Sequence, residues 1–207
     1  YLIGKDLNSR SDSSPSRWVI NFGAMSEEEA RKYPEPFEIA ERDVKPVRMQ
    51  NNRKVYRDYW WQYGEKRPAM MEALVGLDRV LVIARVSKTS QPIFVESGMV
   101  MSEQVVVFAR SSFDYMVSLS SVHHYVWAVA RSSSMKGDLR YAPSDCFETF
   151  PMPENMEMLG AVGKRLDQER REIMLRRGLG LTKLYNLVHD PACQGDADID
   201  RMREIHV

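Results

Sequence analysis

Arg79-Val-Leu-Val-Ile-Ala-Arg-Val86 is an apolar run rich in β-branched residues and interrupted by one cation, and its reading decides the fold. Side chains of this kind suit a pleated, buried surface, so the run predicts a central strand. A polar tip follows, Ser87-Lys-Thr-Ser-Gln-Pro92, then Ile93-Phe-Val95 and, after Gly98, Glu103-Gln-Val-Val-Val-Phe-Ala109. Three strands joined by short connections predict an antiparallel meander. Ser111-Ser-Phe-Asp114 then reads as a capping box opening a helix through Val117, Val122, Val126, Trp127 and Val129. Apolar residues on most of its circumference predict burial against the sheet.

Arg85 inside the apolar run requires a partner, because a buried guanidinium is costly without an anion or acceptor. Two readings stand: a structural salt bridge, or a hairpin whose tip offers Arg85, Ser87, Lys88, Thr89 and Gln91 as donors to a polyanion or to base edges.

Working outward, 207 residues are enough for a large domain with an appendage, and the composition of 43% hydrophobic and 28% charged residues is that of a folded globular chain. Lys+Arg and Asp+Glu are both 29, so polyanion binding has to come from local patches. No apolar run reaches the length of a membrane span and no signal-peptide pattern is present, which predicts a soluble, cytoplasmic protein without a membrane partner. Cys146 and Cys193 lie far apart without a paired-ligand spacing, as reduced thiols would. Tyr1-Leu-Ile-Gly4 reads as the end of a strand and Arg203-Glu-Ile-His-Val207 as an unfinished helix, so a fragment of a longer polypeptide is expected.

Before the central run, a polar loop over residues 5 to 17 and Trp18-Val-Ile-Asn-Phe22 predict a hairpin across residues 1 to 22. Ser26-Glu-Glu-Glu29 is a helix start, Tyr33-Pro-Glu-Pro36 interrupts it, and a second helix resumes near Phe37. From Arg42 to Arg67, cations interleave with Tyr56, Tyr59, Trp60, Trp61 and Tyr63. Adjacent tryptophans are expected as packing anchors, and Arg53 and Lys54, beside Asn51-Asn52, as phosphate contacts.

After the central helix, the loop Arg131-Ser-Ser-Ser-Met-Lys-Gly-Asp-Leu-Arg-Tyr141 sets Lys136 and Arg140 among hydroxyls, a phosphate cradle or a solvated loop. Cys146-Phe-Glu-Thr-Phe150 predicts a short strand. An amphipathic helix is expected from Glu154 to Arg177, with two shorter ones at Leu181–Val188 and Asp198–His206. The expected division is 1–150 for a recognition domain and 151–207 for a truncated helical spacer, an α+β fold with a small mixed or antiparallel sheet.

No catalytic constellation stands out. His123 and His124 point about 100° apart on a helix and cannot easily share a metal. Cys146 as a nucleophile has no supporting signature, and neither a Gly-x-Gly-x-x-Gly nor a Gly-x-x-x-x-Gly-Lys motif occurs.

Several segments in order, Arg17-Trp-Val-Ile-Asn-Phe22, Trp60-Trp61, Val82-Ile-Ala-Arg-Val-Ser-Lys88, Asp138-Leu-Arg-Tyr141, Phe147-Glu-Thr-Phe-Pro151 and Gly180-Leu-Thr-Lys-Leu-Tyr185, resemble the C-terminal part of fused type II restriction-modification enzymes and adenine-specific DNA methyltransferases. The resemblance spans nearly the whole chain. It implies a target-recognition domain that binds double-stranded DNA and positions a flipped adenine for an upstream methyltransferase domain of the same polypeptide, which uses S-adenosylmethionine for N6 methylation. The Asn-Pro-Pro-Tyr-type motif and the glycine-rich cofactor motif of that domain are absent here, so this chain is expected to hold no cofactor, metal or catalytic residue. The alternatives are an interaction scaffold docking a catalytic partner with little DNA contact, and a cysteine enzyme centred on Cys146.

Overall fold

In the computed structural model, which describes residues 1–135 and 137–206, the decisive run forms a strand over Arg79–Ala84 that is buried from Val80 to Ala84. In chain order the elements are helices α1 (Gly4–Ser9), α2 (Glu27–Ala30), α3 (Pro34–Asp43), α4 (Lys45–Met49), α5 (Lys54–Asp58) and α6 (Pro68–Ala73), then strands β1 (Arg79–Ala84), β2 (Val86–Ser87), β3 (Ile93–Glu96) and β4 (Val105–Phe108). Helices α7 (Phe113–Ser120) and α8 (Val122–Arg131) follow, then β5 (Ser133–Met135), β6 (Asp138–Arg140), α9 (Pro143–Cys146), α10 (Gly160–Arg177), α11 (Leu181–His189) and α12 (Ala197–His206). The fold is α+β. The chain divides into two units, Tyr1–Arg17 with Leu74–Val207, and Trp18–Ala73.

In the first unit the main sheet has the order β3-β1-β4, all antiparallel, with Leu81 opposite both Phe94 and Phe108. The central strand is where the sequence puts it, but the order is not that of a meander: β4 crosses back to the free edge of β1. Burial explains the preference, since β1 is the longest and most apolar strand and gains most from neighbours on both edges. After Arg85 the chain enters a second small antiparallel sheet of order β2-β6-β5.

The expected hairpin over residues 1 to 22 does not form. Residues 4–9 are α1, residues 18–22 make no strand, and Leu2 bridges Met101 instead, with its N–H on Val100 O at 2.9 Å and its carbonyl taking Ser102 N–H at 2.9 Å. Nor is the central helix continuous. Ser121 restarts it, its Oγ accepting His124 N–H at 3.2 Å, and the expected box at Ser111–Asp114 makes no side-chain cap bond. The second half is not buried against the sheet either: Val122, Val126 and Val129 share an exposed stripe at helical spacing. Residues 146–150 are no strand, because Pro143 begins a helical turn there with its fixed φ.

The long C-terminal helix starts at Gly160, later than expected, after a 3-10 turn over Met156–Leu159, and Gly178 closes it at φ 63°. α10 crosses α7 so closely that a Cβ on Gly163 would stand 2.0 Å from Phe113 O. Arg203 of α12 satisfies the open carbonyls at the end of α11, including Val188 O at 2.9 Å and Asp190 O at 2.8 Å. Glu169 ties Arg165 of its own helix to Arg201 of α12, and these two arginines hold its carboxyl below the usual range.

The second unit is built around Phe22, Ala30, Phe37, Ala40 and Trp60. Ser26 and Glu29 form a reciprocal capping box at α2. Trp60 is buried and Trp61 donates from Nε1 to Met25 O at 2.9 Å, so both tryptophans are the packing anchors their adjacency predicts. α3 begins at Pro34, three residues before the expected restart.

Candidate nucleic-acid interface

The junction of the two small sheets builds a groove in the first unit. Strand β1 delivers Arg85 to the point where β2 begins, and Tyr141 N–H donates to Arg85 O at 2.8 Å, which lays β6 beside it. Val86 therefore stands opposite Arg140. α1 brings Lys5 and Asn8 to the same place, and the turn before β4 brings Gln104. The groove has a volume of about 500 Å³, and Lys5, Asn8, Arg85, Gln104, Met135 and Arg140 are among its walls.

Its electrostatics are positive. Among the described residues Lys5, Arg85 and Arg140 form no ion pair, while Glu103 is the one acid on the wall. Arg85 is half-buried rather than buried, and among the described residues it makes no salt bridge: its Nε donates to Glu103 O at 2.6 Å, and no hydrogen bond engages its terminal amino groups. Guanidinium groups in this state suit bidentate contact with phosphate oxygens or with guanine edges.

The polar tip is folded inward rather than held out. Ser87 Oγ accepts Thr89 N–H at 3.2 Å and Ser90 N–H at 3.3 Å and lies 3.2 Å from Asn8 Oδ1. Ser87 and Thr89 are buried, whereas Lys88 is exposed. Ser90 sits at φ 46°, so the reversal is tight. Ser90 Oγ and Gln91 Oε1 are buried without a hydrogen-bond partner among the described residues. Arg85 and Arg140 are thus brought together by the fold, Lys88 is the exposed cation of the turn and is not among the groove's walls, and Ser87 and Thr89 serve the turn itself. Lys136 lies outside the described residues; Gly137 next to it has φ 87° at the end of the β5-β6 hairpin.

Behind the groove, Tyr141 is anchored in the core. His124 Nε2 accepts a hydrogen bond from Tyr141 O–H, 2.9 Å away, and Nδ1 donates to Leu119 O at 3.0 Å, since that carbonyl can only accept. Burial pushes the His124 ring down to about 4, and burial followed by the nearby Cys146 thiol pushes the Tyr141 phenol up. With both nitrogens engaged, His124 is not a base for Cys146. That thiol is buried 2.8 Å from Ser132 Oγ.

In the second unit Arg53 and Lys54 are exposed, Arg53 3.8 Å from Glu65 and within 5.7 Å of the Tyr56 ring, Lys54 paired with Asp58 one turn on. Neighbouring cations are also engaged: Lys45 binds Glu41 at 2.7 Å and lies over Trp60, and Arg48 stacks on Tyr56 at 4.6 Å. Among the described residues no group of three or more His, Cys, Asp or Glu side chains is placed to hold a metal ion. No described helix is long and apolar enough to cross a membrane. Sequence reasoning missed Lys5, Asn8 and Gln104, which carry no local motif and enter the groove only because α1 and the turn before β4 meet at the sheet junction.

The profile of the family described as the MmeI target recognition domain matches residues 11–154. No curated protein sequence matches the chain. Among solved structures, the type IIL restriction-modification enzyme MmeI in complex with DNA superposes with a TM-score of 0.62 at 17% sequence identity. That match covers 98% of this chain and 27% of the MmeI chain, so the sequence spans about a quarter of the length of that enzyme.

Proposed function

The chain belongs to the MmeI target recognition domain family, and from that premise we propose that it reads the base sequence of double-stranded DNA for a restriction-modification enzyme. The observation that carries the reading is the convergence of Lys5, Arg85 and Arg140, unpaired among the described residues, on one groove, with the exposed Lys88 on the turn that follows Arg85 in the chain. On this reading Arg85, Lys88 and Gln91 face base edges in the major groove, and Arg140, Lys136, Arg53 and Lys54 hold phosphates. Ser87 and Thr89 act through the turn that presents Lys88.

The target base is proposed to be an adenine methylated at N6 by a methyltransferase domain upstream in the same cytoplasmic polypeptide. S-adenosylmethionine would bind in that domain. The residues of this chain do not fit it, since neither its glycine-rich motif nor the Asn-Pro-Pro-Tyr-type motif occurs here. The work of this chain is binding and orientation: its cations set the register on the duplex and its turn tests the sequence.

A second reading, a scaffold that docks a protein partner, draws on the exposed Val122, Val126 and Val129 stripe of α8. Anisotropy of a labelled mixed-sequence duplex titrated with the chain at several salt concentrations decides between them. Log affinity falling by about 0.9 per log salt for each phosphate engaged is the expected result. No binding at low salt would leave the scaffold reading standing.

A further inference from the structure

Arg170, in the middle of α10, is 1% exposed and has no carboxylate partner among the described residues. Its Nη2 donates to Pro92 O at 2.5 Å and its Nη1 to Tyr185 OH at 3.3 Å; the Tyr185 hydroxyl in turn lies 2.9 Å from His206 Nε2. A buried guanidinium held only by neutral acceptors is an expensive way to fill space, and an apolar side chain of similar length would fill it as well. What the guanidinium adds is direction, because its rigid fork fixes the two oxygens it meets.

One of those oxygens ends the reading turn. Pro92 has a fixed φ and no N–H, so holding its carbonyl fixes where the chain enters β3. The other end of the turn is held at Ser87, which lies against Asn8 of α1. α1 itself rests on the start of α11, where a Cβ on Gly180 would stand 2.4 Å from the Ser9 carbonyl carbon. Lys88 is the exposed cation between these two clamps.

We infer that Arg170 is a positioning residue for Lys88, and that helices α10 and α11 hold the reading turn and the α1 wall of the groove as one device rather than spacing the domain from its neighbours. The inference rests on the DNA-reading function proposed above.

The test is a double-variant cycle on the 207-residue chain, read by anisotropy on a panel of duplexes that differ by one base pair at a time. Lys88→Ala is expected to relax discrimination at one base position, as loss of a base contact does. Arg170→Met is expected to relax the same position by the same factor, and the combined variant by no more than either alone. Equal, non-additive losses support the inference, because a purely structural arginine would lower the melting temperature without relaxing one particular position. Unchanged discrimination in Arg170→Met, additive losses, or no effect of Lys88→Ala overturns it while leaving DNA binding intact. No binding by the unaltered chain overturns the DNA reading and the inference together. Should Arg170→Met fail to fold, Tyr185→Phe removes one of the two acceptors of Arg170, and amide exchange at residues 88–91 must then quicken while exchange in β1 stays slow. Unchanged exchange there overturns the inference.

Discussion

His124 Nε2 and the Tyr141 hydroxyl lie 2.9 Å apart in the core, seventeen residues apart in sequence, and this bond fixes the end of the strand that carries Arg140. Helix α8 and the groove are thereby mechanically joined. Burial keeps the imidazole neutral, and with Nδ1 donating to Leu119 O, Nε2 is left to accept.

Acid is therefore expected to destabilise the first unit. The ring of His124 is held at about 4 against an ordinary 6.5, so the unfolded chain binds the proton more readily between those values, and stability falls as pH drops from about 6.5 toward 4. The shift of 6.5 − 4 is worth on the order of 3 kcal/mol at most. His206, also lowered to about 4 by burial and then by Arg170 and His189, acts in the same direction. Chemical denaturation at a series of pH values measures the slope, and His124→Gln should remove its own share. A slope that the substitution leaves unchanged contradicts this account.

Among the groove cations, Lys5→Ala and Arg140→Ala should each weaken binding to every duplex alike and lower the salt slope by about one unit. Arg53→Ala and Lys54→Ala, whose charges already face Glu65 and Asp58, should change it less. Anisotropy titrations rank the four, and a larger effect from the second pair would move the interface to the other unit.

Gly163→Ala should be among the most damaging single-methyl changes in the chain, since the added carbon would stand 2.0 Å from Phe113 O and 2.7 Å from its carbonyl carbon. Backbone cannot yield as a flexible side chain does, so a loss of about 1–3 kcal/mol or more is expected. Gly160→Ala, which meets open space on the same helix, is the control. Equal melting temperatures for the two would refute the close crossing.

The thiol of Cys146 should resist alkylation in the folded chain, whereas the half-buried Cys193 reacts. Mass spectrometry after brief labelling distinguishes them, and labelling of Cys193 should leave DNA binding unaltered. Rapid modification of Cys146, with loss of function, would revive a cysteine chemistry.

The strand nature of residues 79–84, the packing role of Trp60 and Trp61, the Ser26 cap and the C-terminal helices were legible because each rests on local pattern: β-branched runs, aromatic pairs, cap residues and helical periodicity. The same patterns failed where a distant partner decided the outcome. Residues 1–22 lost their hairpin because Leu2 found Met101, and the central helix broke because Ser121 capped its second half. For the interface, Arg85 and Arg140 could be named from composition, yet nothing local shows that they meet, and Lys5, Asn8 and Gln104 bore no signal at all. Sequence by itself determined which segments are strand, helix and anchor, since those follow from side-chain shape and spacing along a few residues. Only the tertiary structure decided that β1 lies between β3 and β4, that the serine tip folds inward, and that Arg170 reaches Pro92 across 78 residues. Those outcomes depend on which buried polar groups find partners, a property of the whole packed chain rather than of any stretch of it.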